Sequence, residues 1–399
     1  MNSRARGLRT RTRVGRGVPL SVVVFAVLAA LVVAPAIALA AAQTHEPGTE
    51  ASYPSAYVPG TYLTNGSDFV SAADWDSAET IRIEMSEFKF TPSDITLEAG
   101  KPYILELVTV GAVKHEFTAS DFFASAAWRK VESGESEVKA TYFKEVEVFP
   151  GKQADLYLVP IEPGTYELVC EIEGHFEAGM FGTITVTGSA PTSPAPVYKS
   201  ISQGPWVADG AARVDAADWD TMQTVRIDED EFSFAPQQTV LEVNQPYKLE
   251  FVNIGAVKHE STAPEFFQTV AFRKAEDASG EFKAPTLLEV ETFSGKQTDL
   301  YLIPTAAGTF DLVCEIEGHF EAGMFGTIVV QAASQAATPP PAQGATPPPA
   351  APVPPASGNA GIAAIGGNAA PATTMILLLS LAVVLVAGAR ALTSRWPRR

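Results

Sequence analysis

The amino-acid sequence predicts an all-β protein made of two tandem sandwich-like domains, with a secretory signal before them and one transmembrane helix after them. Long stretches that recur 144 residues apart, and short apolar runs between turn residues, indicate the two domains. Apolar runs beside clusters of arginine indicate the two ends.

The repeat covers most of the middle of the chain. LVCEIEGHFEAGMFGTI is identical at residues 168–184 and 312–328, and GAVKHE recurs at 111–116 and 255–260. SAADWDSAETIRI and GKQADLYL have close counterparts at the same offset, DAADWDTMQTVRI and GKQTDLYL. A constant offset without accumulated gaps indicates two copies of one domain.

Each copy is long enough to bury a core of its own. Runs such as ITLEAG, YILELVTV, DLYLVP and YELVC alternate or cluster apolar residues between turns, which is typical of an antiparallel sandwich or barrel. The segments DFFASAAWRKVES and EFFQTVAFRKAED are each expected to form a helical excursion between strands. A doubly wound parallel sheet is disfavoured because strands and helices do not alternate regularly.

We expect seven segments along the chain. They are a signal peptide or uncleaved anchor at 1–42, a first domain at 53–187, a linker at 188–196, a second domain at 197–331, a Pro/Ala/Gly-rich stalk at 332–370, a transmembrane helix at 371–390 and a basic cytoplasmic tail at 391–399.

The apolar runs near both ends predict the membrane topology. The first run, VPLSVVVFAVLAALVVAPAIALAAA, follows six arginines and ends in small residues near Ala38–Ala42. It is typical of a cleaved secretory signal, and it is also long enough for an uncleaved anchor. The second run is followed by four arginines and predicts a single-pass helix. We therefore expect a cell-membrane protein with both domains on the extracytoplasmic side.

The charge is distributed unevenly along the chain. Ten of the 28 Lys and Arg residues lie in the two ends, whereas all 46 acidic residues lie between them. The part between the ends therefore has a formal charge of −28, which excludes nucleic acid and anionic lipid as main binding partners. Solubility and steering toward a cationic protein partner are two explanations that the composition leaves open.

The only two cysteines lie in the repeated phrase CEIEGHFEAGM, and four of the five histidines accompany them. Each repeat thus has a set of four candidate ligands: His115, Cys170, His175 and Met180 in the first, and His259, Cys314, His319 and Met324 in the second. A disulfide between the cysteines is disfavoured because equivalent positions of tandem domains would have to meet closely. One thiolate, two imidazoles and a thioether suit copper better than zinc. This set matches a blue-copper electron-transfer centre, so we expect two copper ions, one in each domain.

The pattern H…C-x4-H-x4-M, with Gly before the second His, resembles that of the cupredoxins, in particular auracyanin- and rusticyanin-like proteins. The resemblance covers both repeats and implies Greek-key β-sandwiches with copper near one end. It implies imidazole ligands at His115, His175, His259 and His319, thiolates at Cys170 and Cys314, and axial thioethers at Met180 and Met324. Glu116 and Glu260 depart from the family, where Asn or Ser often follows the first His. A carboxylate beside the ligands would lower the reduction potential.

The histidine count bears on catalysis. The resemblance implies that two-domain enzymes of this kind need further copper ions, typically with a His directly before the Cys, where this chain has Val169 and Val313. Only His45 remains outside the two ligand sets. We therefore predict that the chain is an electron carrier and no enzyme, with a redox protein as its partner and no small-molecule substrate. The alternatives are a surface protein that sequesters or delivers copper, and a structural repeat that the metal stabilises.

Overall fold

Alternating apolar and polar residues in the sequence become alternating burial in the strands. The computed structural model describes residues 57–333, and in it the strand Tyr103–Thr109 buries every second side chain. The equivalent strand Tyr247–Asn253 has the same pattern. Such strands form sheets that place one face on a core. The described residues are all-β with few helices, as the sequence predicted.

Twelve strands lie between residues 57 and 187. They are β1 (Tyr62–Leu63), β2 (Glu79–Ser86), β3 (Lys89–Thr91), β4 (Asp94–Glu98), β5 (Tyr103–Thr109), β6 (His115–Phe117), β7 (Ala127–Ser133), β8 (Ser136–Lys139), β9 (Glu145–Val148), β10 (Gln153–Val159), β11 (Gly164–Val169) and β12 (Phe181–Thr187).

Another twelve strands follow, up to residue 333. They are β13 (Tyr198–Lys199), β14 (Gln223–Asp230), β15 (Ser233–Ala235), β16 (Gln238–Glu242), β17 (Tyr247–Asn253), β18 (His259–Thr262), β19 (Val270–Glu276), β20 (Gly280–Lys283), β21 (Glu289–Thr292), β22 (Gln297–Pro304), β23 (Gly308–Val313) and β24 (Phe325–Gln331).

Four short α-helices connect the strands in the described part of the chain, residues 57–333. They are α1 (Gly66–Ala72), α2 (Ser120–Ser125), α3 (Gly210–Ala216) and α4 (Pro264–Phe267). The helical excursion expected over DFFASAAWRKVES is wrong in its second half, because β7 begins at Ala127 and pairs with β10. The second copy behaves in the same way, since β19 begins at Val270. A short apolar run does not distinguish a buried strand from a buried helix face, and here pairing with a neighbouring strand decides.

Two long sheets run through both repeats. One has the strand order β16-β24-β23-β18-β21-β8-β7-β10-β5-β2-β3, and the other has the order β15-β14-β17-β22-β19-β20-β9-β6. An isolated bridge from Thr118 to Val169 connects β6 to a third sheet of order β11-β12-β4. Strands β1 and β13 form a separate two-stranded sheet. Each long sheet therefore combines strands from both repeats.

Within residues 57–333 the repeats are joined by antiparallel strand pairs: β8–β21 and β9–β20 have four residue pairs each, and β1–β13 has two. The register of β9–β20 places Glu147 opposite Glu281. Lys114 Nζ lies 2.8 Å from the first carboxylate, and Lys274 Nζ lies 2.8 Å from the second. Opposite charges thus accompany the paired carboxylates at this junction, and the strand edges that each repeat would otherwise expose are covered.

A buried carboxylate also joins the repeats. The Ser133 and Ser136 hydroxyls each donate to Asp277 Oδ2 at 2.6 Å, across the junction. Gly280 is required beside it, because a Cβ there would lie 2.0 Å from the carbonyl oxygen of Glu147. The largest cluster of buried apolar side chains also includes residues of both repeats. The two repeats therefore share sheets, hydrogen bonds and core.

The expected signal or anchor at 1–42, the transmembrane helix at 371–390 and the tail at 391–399 lie outside the described residues, as does nearly all of the stalk. Within residues 57–333, none of the helices has the length and apolar character needed to cross a membrane.

Candidate metal centres

The repeated phrase folds as a strand end, a loop and a strand start. β11 ends at Val169, so Cys170 lies at the end of the strand as the sequence predicted, and β12 begins at Phe181. The Met180 N–H donates to the carbonyl of His175 at 3.0 Å, and the Cys170 N–H donates to the carbonyl of Met180 at 3.1 Å. The second repeat has the same bonds. The backbone alone thus closes the loop on itself.

The two glycines of this loop have a conformational role. Gly174 and Gly179 have φ angles of 83° and 107°, and their counterparts Gly318 and Gly323 have φ angles of 85° and 111°. Residues with a Cβ rarely adopt these angles. The glycine before the second His therefore allows the turn that brings the imidazole back toward the cysteine.

Three of the four candidate ligands of the first repeat meet at one point. The donor atoms of His115, Cys170 and His175 all lie within 4.8 Å of one another. Cys170 Sγ is 3.4 Å from His175 Nδ1, and the two imidazole ring centres are 5.1 Å apart. The second repeat gathers its equivalent residues in the same way, with the same 3.4 Å separation of sulfur and nitrogen: His259, Cys314 and His319.

The upstream histidines have buried nitrogens without partners. His115 and His259 are fully buried, and neither Nδ1 nor Nε2 of either ring has a hydrogen-bond partner among the described residues. Leaving a buried polar atom unpaired costs about 1–3 kcal/mol. Burial also lowers the pKa of both imidazoles, which favours the neutral form that a metal binds. A bound metal ion would give one nitrogen of each ring a partner.

The thiols lie beside backbone donors. The Glu116 N–H donates to Cys170 Sγ at 3.4 Å, and the Glu260 N–H donates to Cys314 Sγ at the same distance. Burial raises the pKa of both thiols, and these amides oppose that effect. Without a cation the thiols would therefore stay protonated at neutral pH. Both cysteines are free and buried.

Met180 and Met324 are fully buried at the far end of their loops. The Met180 carbonyl accepts a hydrogen bond from the Cys170 N–H, and the Met324 carbonyl accepts one from Cys314 at 3.2 Å. The structure thus places the backbone of each methionine directly against the cysteine of its site. Axial ligation by the thioether remains a prediction.

A strained phenylalanine covers each site, and the sequence analysis did not identify it. Phe88 and Phe232 have φ angles of 65° and 64°, which are rare for bulky side chains. The Phe88 ring packs edge-on against His175 with a centroid distance of 5.4 Å, and Phe232 packs on His319 at 5.3 Å. Such strain is typical of functional sites. The signal was the dipeptide Glu-Phe, which recurs at the repeat offset.

The preceding glutamate holds the loop before the upstream histidine. Glu87 accepts a hydrogen bond from the Ala112 N–H at 2.5 Å, and this bond lowers the pKa of the carboxyl. Glu231 accepts the equivalent bond from the Ala256 N–H. A Cβ at Gly255 would lie 2.9 Å from His259 Nε2, so the loop backbone lies directly against that ring. The loop before His259 therefore packs directly against its imidazole.

The carboxylates of Glu116 and Glu260 do not point at the donor atoms. Alternate residues of a strand face opposite sides, and these glutamates follow the ligand histidines directly. Glu116 instead lies 3.8 Å from Lys283 of the other repeat, and Glu260 lies 3.8 Å from Lys139. Their side chains thus belong to the junction between the repeats, and their backbone amides contact the sites.

The donor sets fit copper. Each combines a thiol and two imidazoles that converge within bonding reach of one ion, with a thioether-bearing residue hydrogen-bonded to the cysteine. These donors suit a copper ion that alternates between Cu(I) and Cu(II). Zinc would lack the fourth Cys or His that its structural sites use.

Comparison with known proteins agrees with this chemistry. Residues 64–186 match the family model described as a cupredoxin-like domain. The copper-resistant cuproprotein CopI of Rubrivivax gelatinosus is 28% identical over 108 residues, which are 27% of this chain and 66% of CopI. The chain thus spans just under two thirds of that relative's length.

Solved structures also match. Auracyanin of Roseiflexus castenholzii has 16% identity, covers 28% of this chain and 98% of its own, and gives a TM-score of 0.21. The copper-containing nitrite reductase of Thermus scotoductus has 12% identity, covers 64% and 62%, and gives a TM-score of 0.23. The multicopper oxidase of Campylobacter jejuni has 10% identity, covers 64% of each chain and gives 0.26.

The strand layers and the convergent thiols and imidazoles define a β protein with two candidate metal centres. The family match shows a cupredoxin-like domain over residues 64–186.

The prediction that the chain is not an enzyme, which was based on the histidine count, is wrong. The matched solved structures include a nitrite reductase and multicopper oxidases, which are enzymes with copper. A count of histidines within one chain does not bound a site whose ligands come from more than one chain. The histidine count therefore gives no basis for excluding catalysis.

The unpaired imidazole nitrogens lead to a test on the metal-free protein. Replacing His115 with leucine removes two buried, unpaired nitrogens, so we expect the metal-free protein to gain about 1–2 kcal/mol of unfolding free energy. Copper binding at the first centre should be lost. Denaturant unfolding of His115→Leu and the matched His259→Leu measures the change. A loss of several kcal/mol in metal-free protein would show that the imidazole has a structural role.

Proposed function

We propose that this protein carries single electrons at two type 1 copper centres, one in each repeat. The observation that supports the proposal is the same gathering, in both repeats, of a buried imidazole without partners, a thiol and a second imidazole. Bound copper would supply a one-electron couple between Cu(II) and Cu(I). The residues that would hold it are His115, Cys170, His175 and Met180 in the first repeat, and His259, Cys314, His319 and Met324 in the second.

The chain's own residues favour rapid electron exchange. Backbone hydrogen bonds hold the donors in place before metal binds. Some lie within the loop from Cys170 to Met180, and one runs from the Glu116 N–H to the Cys170 sulfur. Donors that move little between oxidation states lower the reorganisation that transfer requires. The second imidazole is only half-buried, and the exposed rings of Phe88 and Phe181 lie near it on the surface. This apolar surface would suit transient docking of a redox partner.

The acidic composition predicts how electron exchange responds to salt. With a formal charge of −28 between the two ends, a cationic partner should be attracted over long range. We expect the rate of exchange with a basic redox protein to fall about tenfold as ionic strength rises from about 0.01 to 1 M. Stopped-flow measurement of the blue absorption provides the rate. An acidic partner serves as control, because its rate should rise with salt. A salt-independent rate for both would contradict electrostatic steering.

A second candidate function is copper sequestration or delivery. It is favoured by the match to a protein whose name describes copper resistance. A carrier must retain its metal through many cycles, whereas a store or donor must release Cu(I). We expect both centres to retain copper against a Cu(I) chelator for longer than electron exchange takes. Rapid release of Cu(I), together with slow electron exchange, would favour copper handling instead.

We propose further that the chain is held at a cell membrane with both repeats on the extracytoplasmic side. The support is the apolar run at 371–390 with four following arginines, and the proline-rich stretch before it. Protease applied from outside intact cells should release a fragment that contains both copper centres. A full-length chain found in the soluble fraction would contradict the anchor.

A further inference from the structure

The two repeats differ in their cores beside the upstream histidine. In the first repeat this region is apolar and fully buried, and it is formed by Met85, Phe117, Val148 and Ala154. The positions 144 residues later are also fully buried, and they are polar: Glu229, Ser261, Thr292 and Thr298. We call these four residues the polar cluster.

The polar cluster lies between the two sheets of the second repeat. Glu229 is on β14 and Thr298 on β22, which share one sheet, whereas Ser261 is on β18 and Thr292 on β21, which share the other. The Ser261 hydroxyl donates to Glu229 Oε1 at 2.7 Å, and the Thr292 hydroxyl donates to that of Thr298 at 3.3 Å. Asn253 Nδ2 donates to the Thr292 carbonyl at 2.8 Å, and Thr109 Oγ1 makes the equivalent bond to the Val148 carbonyl at 2.9 Å in the first repeat. Hydrogen bonds thus continue across the core.

The cluster adjoins the second metal centre. Ser261 is two residues after His259 on the same strand, so both side chains share the inner face, and Thr292 is paired directly with His259. The cluster is therefore within electrostatic reach of the donor atoms.

One atom of the cluster lacks a partner. Glu229 is fully buried, and its Oε2 has no hydrogen-bond partner among the described residues. Burial raises the pKa of this carboxyl to about 8. In the second repeat Ser261 replaces Phe117, whose aromatic ring fills this space in the first repeat. Phe251, which replaces Leu107, restores only a part of the lost side-chain volume. A buried water needs two to four polar partners and room. The cluster supplies the polar partners, and the exchange of a phenylalanine for a serine would leave the room.

We propose that the polar cluster holds internal water beside the second metal centre and lowers the reduction potential of that centre. The inference rests on the proposed copper centres. A site with one thiolate and two neutral imidazoles carries one more positive charge with Cu(II) than with Cu(I). Water and hydroxyl dipoles stabilise the more charged state, whereas the apolar pocket of the first repeat does not. The two centres would thus differ in potential, and a single electron would reside at the first.

The test exchanges the two pockets. Glu229→Met/Ser261→Phe gives the second repeat the residues of the first, and Met85→Glu/Phe117→Ser makes the reverse change. Cys170→Ser and Cys314→Ser backgrounds isolate the second and the first centre, respectively, for redox titration. We expect the first exchange to raise the potential of the second centre and the reverse exchange to lower that of the first. Glu229→Gln keeps a hydrogen-bonding side chain, so it should leave the potential closer to wild type than the double exchange does.

A second readout does not need copper. Crystal structures of metal-free wild type should show ordered water in contact with Glu229, and the double exchange should remove it. Unchanged potentials in both exchanges, or a dry pocket in wild type, would overturn the proposal. Failure of the wild-type protein to bind copper or to titrate reversibly would instead refute the proposed function. The crystal structures of metal-free protein would still decide whether the cluster holds water.

Discussion

Replacing Cys170 with serine is expected to remove one of two bound copper ions and about half of the blue absorption of the oxidised protein. The thiolate is the donor that distinguishes a blue copper site, and the serine hydroxyl is a harder donor that stays protonated. Cys170 is fully buried 3.4 Å from His175, so no other thiol can replace it. Copper analysis and optical spectra of the purified protein measure the change.

The matched variant is Cys314→Ser, which should remove the other half and leave the first centre intact. The double variant should be colourless and should retain its far-ultraviolet circular dichroism. Loss of both absorptions from either single change would contradict the assignment of one thiolate to each centre. Such a result would indicate that each centre depends on the other through the sheets that the repeats share.

Separating the repeats is expected to have the second large effect. A fragment that ends at residue 196 would lose the four residue pairs of β8–β21 and the four of β9–β20. Val138, Val146 and Val148 on those strands are fully buried in the intact chain. Unpaired, apolar strand edges recruit other chains. We expect the fragment to dimerise or aggregate and to unfold at a much lower temperature than the intact chain.

A point change at the junction provides a milder version of this experiment. Gly280→Ala would place a Cβ 2.0 Å from the Glu147 carbonyl and should lower the free energy of unfolding by several kcal/mol. Gly134→Ala is the control, because the nearest atom to its added Cβ is 4.0 Å away. A monomeric, stable, copper-binding fragment together with a tolerated Gly280→Ala change would show that the repeats fold independently.

The sequence predicted the parts of the site that are local. The phrase around Cys170 led to the correct strand end and loop, because ligand spacing and glycine positions act over a few residues. It did not predict that β8 and β9 pair with the other repeat, since strand pairing across a long separation leaves no local pattern. The contact of Phe88 with His175 was missed for the same reason. The polar cluster, in contrast, can be found from the sequence by comparing the repeats position by position, because Glu229 occupies the position equivalent to Met85.

On the proposed function, each repeat holds one redox-active copper ion. The most direct measurement is a redox titration of the purified full-length chain, followed by optical absorption, with copper and protein quantified in the same sample. Two copper ions per chain, and a blue absorption that disappears and returns in two one-electron steps, are the predicted result. One copper ion per chain, or copper that leaves on reduction and does not restore the colour on oxidation, would contradict the account.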